Sequence, residues 1–147
     1  MSTSIWKRPL SVDILARAHV DTAVANLGIE FLEVGANFLR ARMPVDKRTR
    51  QPMGILHGGA SLVLAECLGS VGAAFSSPPG YRSVGVEINA NHIRSVSEGN
   101  WVTGIARPFH AGRTTQVWGI ELANDKGQLT CVSRITIAIL PPAEAKS

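Results

Sequence analysis

The spacing of hydrophobic and polar positions divides this chain into three regimes. Residues 57–75 are apolar on nearly every helical face, with a single carboxylate, Glu66, near the middle. A helix that is apolar all round belongs inside a protein, so this stretch predicts one long, buried helix. Ser77-Pro78-Pro79-Gly80 ends it. Upstream, residues 11–18 have the pattern of a short helix capped by Ser11, and residues 22–27 add a further turn before Gly28. Residues 29–34 and 37–43 read as two strands around a Gly35 turn, with Pro44 closing the second. Residues 45–56 read as a loop. Downstream the period becomes two. Residues 83–95, 100–109, 114–123 and 128–140 predict four strands, the last two joined by Asn124-Asp125-Lys126-Gly127. In the first of these, Val84, Val86, Ile88 and Ala90 share one face, opposite Glu87, Asn89 and Asn91. From about residue 141 the tail is expected to be disordered.

Two strands, one long helix and four more strands imply an α+β domain. A lone apolar helix among six strands is best covered by a curved antiparallel sheet wrapped around it. At 147 residues the chain makes one domain, residues 1–147, with enough length for a sizeable core. The sheet covers only one side of the helix. A second copy of the chain is the simplest cover for the other.

Composition narrows the class. The chain is 45% hydrophobic and 18% charged, ordinary for a globular protein. Cys67 and Cys131 both fall in apolar patterns, which predicts buried free thiols in a reducing compartment. The early Ser-Ile-Trp-Lys-Arg-Pro run does not resemble a secretion signal. The long helix reads as too short and too Gly-rich to span a bilayer. A cytoplasmic location is expected, with no membrane partner. The net charge of +4 could reflect nucleic acid or a small anionic ligand. Aromatic residues, 5% of the chain, do not interleave with the basic ones, which favours the small anion.

Candidate chemistry begins with Glu66. Its helical neighbours Leu62, Val63, Gly69 and Ser70 cannot pair with it, and a buried, unpaired carboxylate is costly. It is therefore read as a chemical group, against the plainer reading of a carboxylate satisfied by backbone groups. A nucleophile elbow, a phosphate loop and a dinucleotide fingerprint are all missing from the sequence. His19, His57, His92 and His110 lack metal-ligand spacing, so no metal site is expected. His57-Gly58-Gly59 opens the long helix, where backbone N–H groups and positive partial charge suit a developing oxyanion. His57 could equally be a simple cap. Glu66 lies about 12 Å along the helix from Gly58, too far to act on the same carbonyl. An antiparallel second copy would bring Glu66 of one chain to Gly58 of the other.

Gln51-Pro52-Met53-Gly54-Ile55-Leu56-His57-Gly58-Gly59-Ala60-Ser61, followed by Leu64-Ala65-Glu66, resembles the acyl-CoA thioesterases of the hot-dog fold. Val84-Gly85-Val86-Glu87-Ile88-Asn89-Ala90-Asn91-His92-Ile93-Arg94-Ser95 and Gln116-Val117-Trp118 extend the likeness. It reaches from Ile5 to Leu140 and is nearest to the branch acting on 1,4-dihydroxy-2-naphthoyl-CoA, with its proofreading relative from aryl-siderophore synthesis. The resemblance implies hydrolysis of an acyl-CoA, with an aromatic or related acyl group. It implies Glu66 as nucleophile or general base, Gly58 N–H as carbonyl polariser and His57 as its helper. Gln51 would orient the water or the carboxylate, and Ser70 would support the water. Gly85, His92, Ile93, Arg94 and Ser95, with His110, Gly112, Arg113 and Thr114, would bind the acyl, pantetheine or nucleotide parts. No cofactor is implied beyond the CoA of the substrate itself. Acyl-carrier-protein thioesters form a second substrate class. The assembly implied is at least a homodimer, usually a homotetramer. A dehydratase or hydratase on the same fold, or a non-catalytic acyl-CoA binder, are the rival readings.

Overall fold

The computed structural model describes residues 3–144. The N-terminal part carries α1 (Val12–Ala18), a single turn α2 (Ala23–Asn26), β1 (Glu30–Val34) and β2 (Leu39–Pro44). The long helix α3 (Gly58–Ser76) follows, then β3 (Arg82–His92), β4 (Trp101–Ala111), β5 (Thr115–Asn124) and β6 (Leu129–Leu140). Ser11 caps α1 as its sequence position predicts, its hydroxyl accepting from the Ile14 N–H at 3.2 Å. Pro44 ends β2 as its last residue, and pairs with Trp101. The strand after α3 ends at His92, three residues earlier than predicted, because the Ile93 and Arg94 N–H groups both turn to the Thr130 carbonyl. Residues 141–144 are exposed and without regular structure, while the last residues of the expected disordered tail, 145–147, lie outside the described residues.

The six strands form one antiparallel sheet in the order β1-β2-β4-β5-β6-β3. α3 packs against β2, β4, β5, β6 and β3. Its inward face, including Leu64, Leu68 and Val71, joins Leu39, Ala41, Met43, Trp118, Ile120, Ile135 and Ile137 in a single core. Gly69 and Gly72 let the sheet come close. A Cβ on Gly72 would sit 2.6 Å from the Trp118 ring, and one on Gly69 would strike Ile135. At the C-terminal end of α3, buried Gln116 accepts from Ser76 and Trp118 and donates to Ser77, tying the helix end to β5. By length and hydropathy α3 does match a membrane-crossing helix, contrary to expectation, but it is the helix the sheet wraps.

The helix is not buried all round. Gly59 and Glu66 are exposed, and Leu62, Val63, Ser70 and Ala74 are only half-buried. These positions recur at three- and four-residue intervals and so form one stripe that the sheet leaves largely uncovered, with the edge strand β3 meeting it at Glu66 through Gly85. Glu66 is thus a carboxylate on an uncovered apolar face, not one sealed in the core. The sheet has two edges. β1 is five residues long, and its Glu30 and Glu33 pair with Arg42 and Arg40 of β2. β3 is eleven residues long and exposes Val84 and Val86 by 49% and 62%.

The pairing of β3 with β6 is irregular at one point. Gly85 pairs with Ile137 of β6, yet Glu87 pairs with Thr136, so Val86 is an extra residue in a β-bulge. Val84 therefore lies on the outer face and Gly85 on the inner one, while Ile88 and Ala90 pack toward the core. The single face assigned to Val84, Val86, Ile88 and Ala90 is split by that one residue.

Candidate active site

The chain enters α3 through a loop held at several points. The Thr49 hydroxyl donates to the Pro44 carbonyl at 2.7 Å and accepts from the Asp46 N–H. The His57 N–H reaches the Thr49 carbonyl at 2.8 Å, and the Leu56 N–H the Val96 carbonyl at 2.8 Å. Arg50 pairs with Glu98. Within the loop, the Gly54 N–H closes a turn onto the Gln51 carbonyl, and Gly54 takes φ +75°, a conformation suited to glycine. The Gln51 side-chain oxygen accepts from the Met53 N–H. In the single chain Gln51 thus holds its own turn and does not line the cavity beside Glu66.

His57 is the N-cap of α3. Its Nδ1 accepts from the Gly59 N–H at 2.9 Å, and its carbonyl accepts from Ala60 and Ser61. The capping role is real, and it has a chemical consequence. An imidazole accepting through Nδ1 carries its proton on Nε2, which is then a donor. Among the described residues no acceptor takes the Gly58 N–H. It is an unused donor at the positive end of a helix of 19 residues. His57→Ala is expected to cost about 1 kcal/mol in urea unfolding, and His57→Asn, a good cap, to restore it. A turnover loss that persists in His57→Asn then reports the Nε2–H rather than the cap.

β3 runs back along α3 and touches it at two points, Glu66 and Gly58. At one, a Cβ on Gly85 would lie 3.1 Å from the Glu66 Oε1. At the other, a Cβ on Gly58 would lie 3.0 Å from the His92 Nε2. Glu66 opens onto a cavity of about 250 Å³ lined also by Gly85, Val86, Glu87, Ile88 and Ile135. Glu66 has no ion-pair partner among the described residues. Ser70 lies one turn further on the same stripe. Cys67 and Cys131 are free and buried; burial pushes the Cys67 thiol up to about 12 and raises that of Cys131, which disfavours the thiolate at both.

The remaining predicted site residues fall into two groups. His92, Ile93, Arg94 and Ser95 are exposed at the end of β3 beside the start of α3. His110 lies near the end of β4, and Gly112, Arg113 and Thr114 form the turn to β5, where the Thr114 carbonyl accepts from the Ile139 N–H, next to the start of β3. The length of β3, about 33 Å, separates the groups. One chain cannot bring them together. Gly85 stands apart from both groups, beside Glu66. Val86, Ile88 and Ile135, which complete that cavity, were not singled out from the sequence. A glycine inside an apolar strand run was the available signal for a bulge or a close approach there.

Comparison with known proteins gives this geometry a context. Residues 53–131 match the family model of the thioesterase superfamily. The chain is 48% identical to the 1,4-dihydroxy-2-naphthoyl-CoA hydrolase of Escherichia coli, over 92% of this chain and 99% of that one. The crystal structure of a Haemophilus influenzae thioesterase superposes with a TM-score of 0.92 at 40% identity, covering 97% of this chain and 99% of that one. A Staphylococcus aureus thioesterase has been solved as a glutamine-to-alanine variant and as a glutamate-to-alanine variant. These match with a TM-score of 0.76, at 38% and 39% identity, over 80% of this chain and 98% of theirs. With a curved sheet clasping α3, an unused N–H at the start of that helix and a free carboxylate two turns on, the chain belongs to the thioesterase superfamily and is a thioesterase of the hot-dog fold.

Proposed function

We propose that this protein hydrolyses an aromatic acyl-CoA thioester at a site shared by two copies of the chain. The observation that carries the reading is the pairing of two unused groups: the Gly58 N–H and the unpaired Glu66 carboxylate, both along the uncovered side of α3. They stand about 12 Å apart within one helix. A dimer removes that distance. If two β3 edges pair antiparallel about an axis near Ile88, the Gly85 end of one strand lies beside the His92 end of the other. Since Gly85 touches Glu66 and His92 touches Gly58, Glu66 then faces Gly58 of the partner subunit across adjacent strands, which lie about 4.8 Å apart. A long, exposed edge with apolar Val84 and Val86 suits such pairing.

In this arrangement the Gly58 N–H polarises the thioester carbonyl, assisted by the His57 Nε2–H. Glu66 attacks the carbonyl carbon or removes a proton from the attacking water. The C–S bond breaks, water supplies the hydroxyl of the acid, and CoA leaves as the thiol. Gln51 and Ser70 hold the water or the carboxylate. The same pairing joins the two basic groups that one chain keeps apart, since Arg82 and Arg113 of one subunit approach Arg94 of the partner subunit. Three guanidinium groups in that position fit the phosphates of CoA. The name of the Escherichia coli relative supports an aromatic acyl group. The S. aureus substitutions support the roles of Gln51 and Glu66, because the glutamine and glutamate changed there are separated by the same interval as these two residues. Thiol release measured over naphthoyl, benzoyl and aliphatic CoA thioesters tests the proposal. Aryl esters are expected to have the highest kcat/KM. Equal or better turnover of aliphatic esters overturns the aromatic assignment, and no thiol release from any overturns the acyl-CoA reading.

A further inference from the structure

We infer that the β-bulge at Val86 is a positioning device: it turns Gly85 toward the Glu66 carboxylate while leaving His92 turned toward Gly58. The inference rests on the catalytic reading of Glu66 proposed above.

Successive side chains of a strand point to opposite faces, so residues on one face are an even number apart. Gly85 and His92 both face α3, one against Glu66 and the other against Gly58, although one is odd-numbered and the other even. A regular strand cannot do this. One extra residue is required between them, and the sheet register supplies it: two steps of β3, Gly85 to Glu87, match one step of β6, Ile137 to Thr136. If β3 ran regularly through this point with no bulge, the alternation set by His92, Ala90 and Ile88 would carry Val86 inward at the level of Glu66. Its branched side chain would occupy the space that now holds the carboxylate.

The glycine is as specific as the bulge. A Cβ at residue 85 would stand 3.1 Å from Oε1 of Glu66 and 3.7 Å from Cδ1 of Ile135. The first contact is tighter than ordinary van der Waals packing, so an alanine here displaces the carboxylate by a few tenths of an ångström. Gly85 has no positive φ that would demand glycine for backbone reasons. What is left is the room it gives Glu66. Small misplacements of a reacting group are costly, up to about a hundredfold for an ångström. Gly85 is accordingly a positioning residue, acting through Glu66 rather than on the substrate.

A double-mutant cycle with Glu66→Asp tests this. The Asp carboxylate is one methylene shorter and withdraws from residue 85. Gly85→Ala in the native background is expected to lower kcat by about tenfold, with KM unchanged. In the Glu66→Asp background the same change should alter kcat by less than about twofold, a clear departure from additivity. Additive losses overturn the inference, as does a KM that rises equally in both backgrounds, which would make Gly85 a substrate contact. A crystal structure of Gly85→Ala with the Glu66 carboxylate unmoved also overturns it. Gly85→Ser serves as the second variant, with melting temperature and dimer mass recorded for each. Glu66→Gln separates the two levels. Native turnover in that variant overturns the catalytic reading itself. An inactive Glu66→Gln with an additive cycle overturns only the positioning.

Discussion

Glu66→Gln is expected to lower kcat for thiol release by about three to four orders of magnitude, with the melting temperature unchanged. The isosteric amide keeps the shape of the side chain and removes its capacity to act as base or nucleophile. A thousandfold loss is about 4 kcal/mol of transition-state stabilisation. Stability should not follow, because Glu66 is exposed and has no ion pair among the described residues, and such substitutions fall within about 0.5 kcal/mol. The separation of the two readouts is what makes the experiment informative. A carboxylate retained for structure would lower the melting temperature and spare turnover.

Mixing two inactive chains is expected to restore activity. Gly58→Val places a side chain where a Cβ alone would already stand 3.0 Å from the His92 ring, and it should block the carbonyl site. Glu66→Gln removes the carboxylate. Each homodimer then lacks one component at both of its sites. A mixed dimer has one site with both defects and one with neither, since each site draws Gly58 and Glu66 from different subunits. Random pairing makes half the dimers mixed, so co-refolded chains should recover about a quarter of the native rate. Activity that stays at the level of the separate variants would show that one chain supplies both groups, and the shared-site geometry would fall.

The order of elements was legible because it is written in local periodicity. The helical run around Glu66, the Pro-Pro-Gly stop after it and the alternation of residues 128–140 are each set by contacts a few residues apart. The glycines inside that helical run have a packing reason, since Gly69 and Gly72 meet Ile135 and Trp118 at close range. The burial of Glu66 was not readable. Hydropathy reports how apolar a helix is, not how far around it the chain's own sheet extends, and here the sheet leaves most of the Glu66 stripe open. The facing of β3 was equally hidden, because a bulge changes the alternation without leaving more than a glycine in the pattern.

By itself the sequence determined an α+β fold, the helix that carries Glu66, the His57-Gly58-Gly59 start of that helix and a likeness to the thioesterases. These follow from residue type and short-range spacing. Only the tertiary structure decided that Glu66 lies open on an uncovered stripe, that the Gly58 N–H is unused, and that Gly85 and His92 reach the same helix from one strand. It also decided that the two basic groups sit at opposite ends of β3. Each of these depends on which strand lies at the edge and on one register step between β3 and β6. Pairings between residues some fifty positions apart set both, and no local pattern in the chain records them.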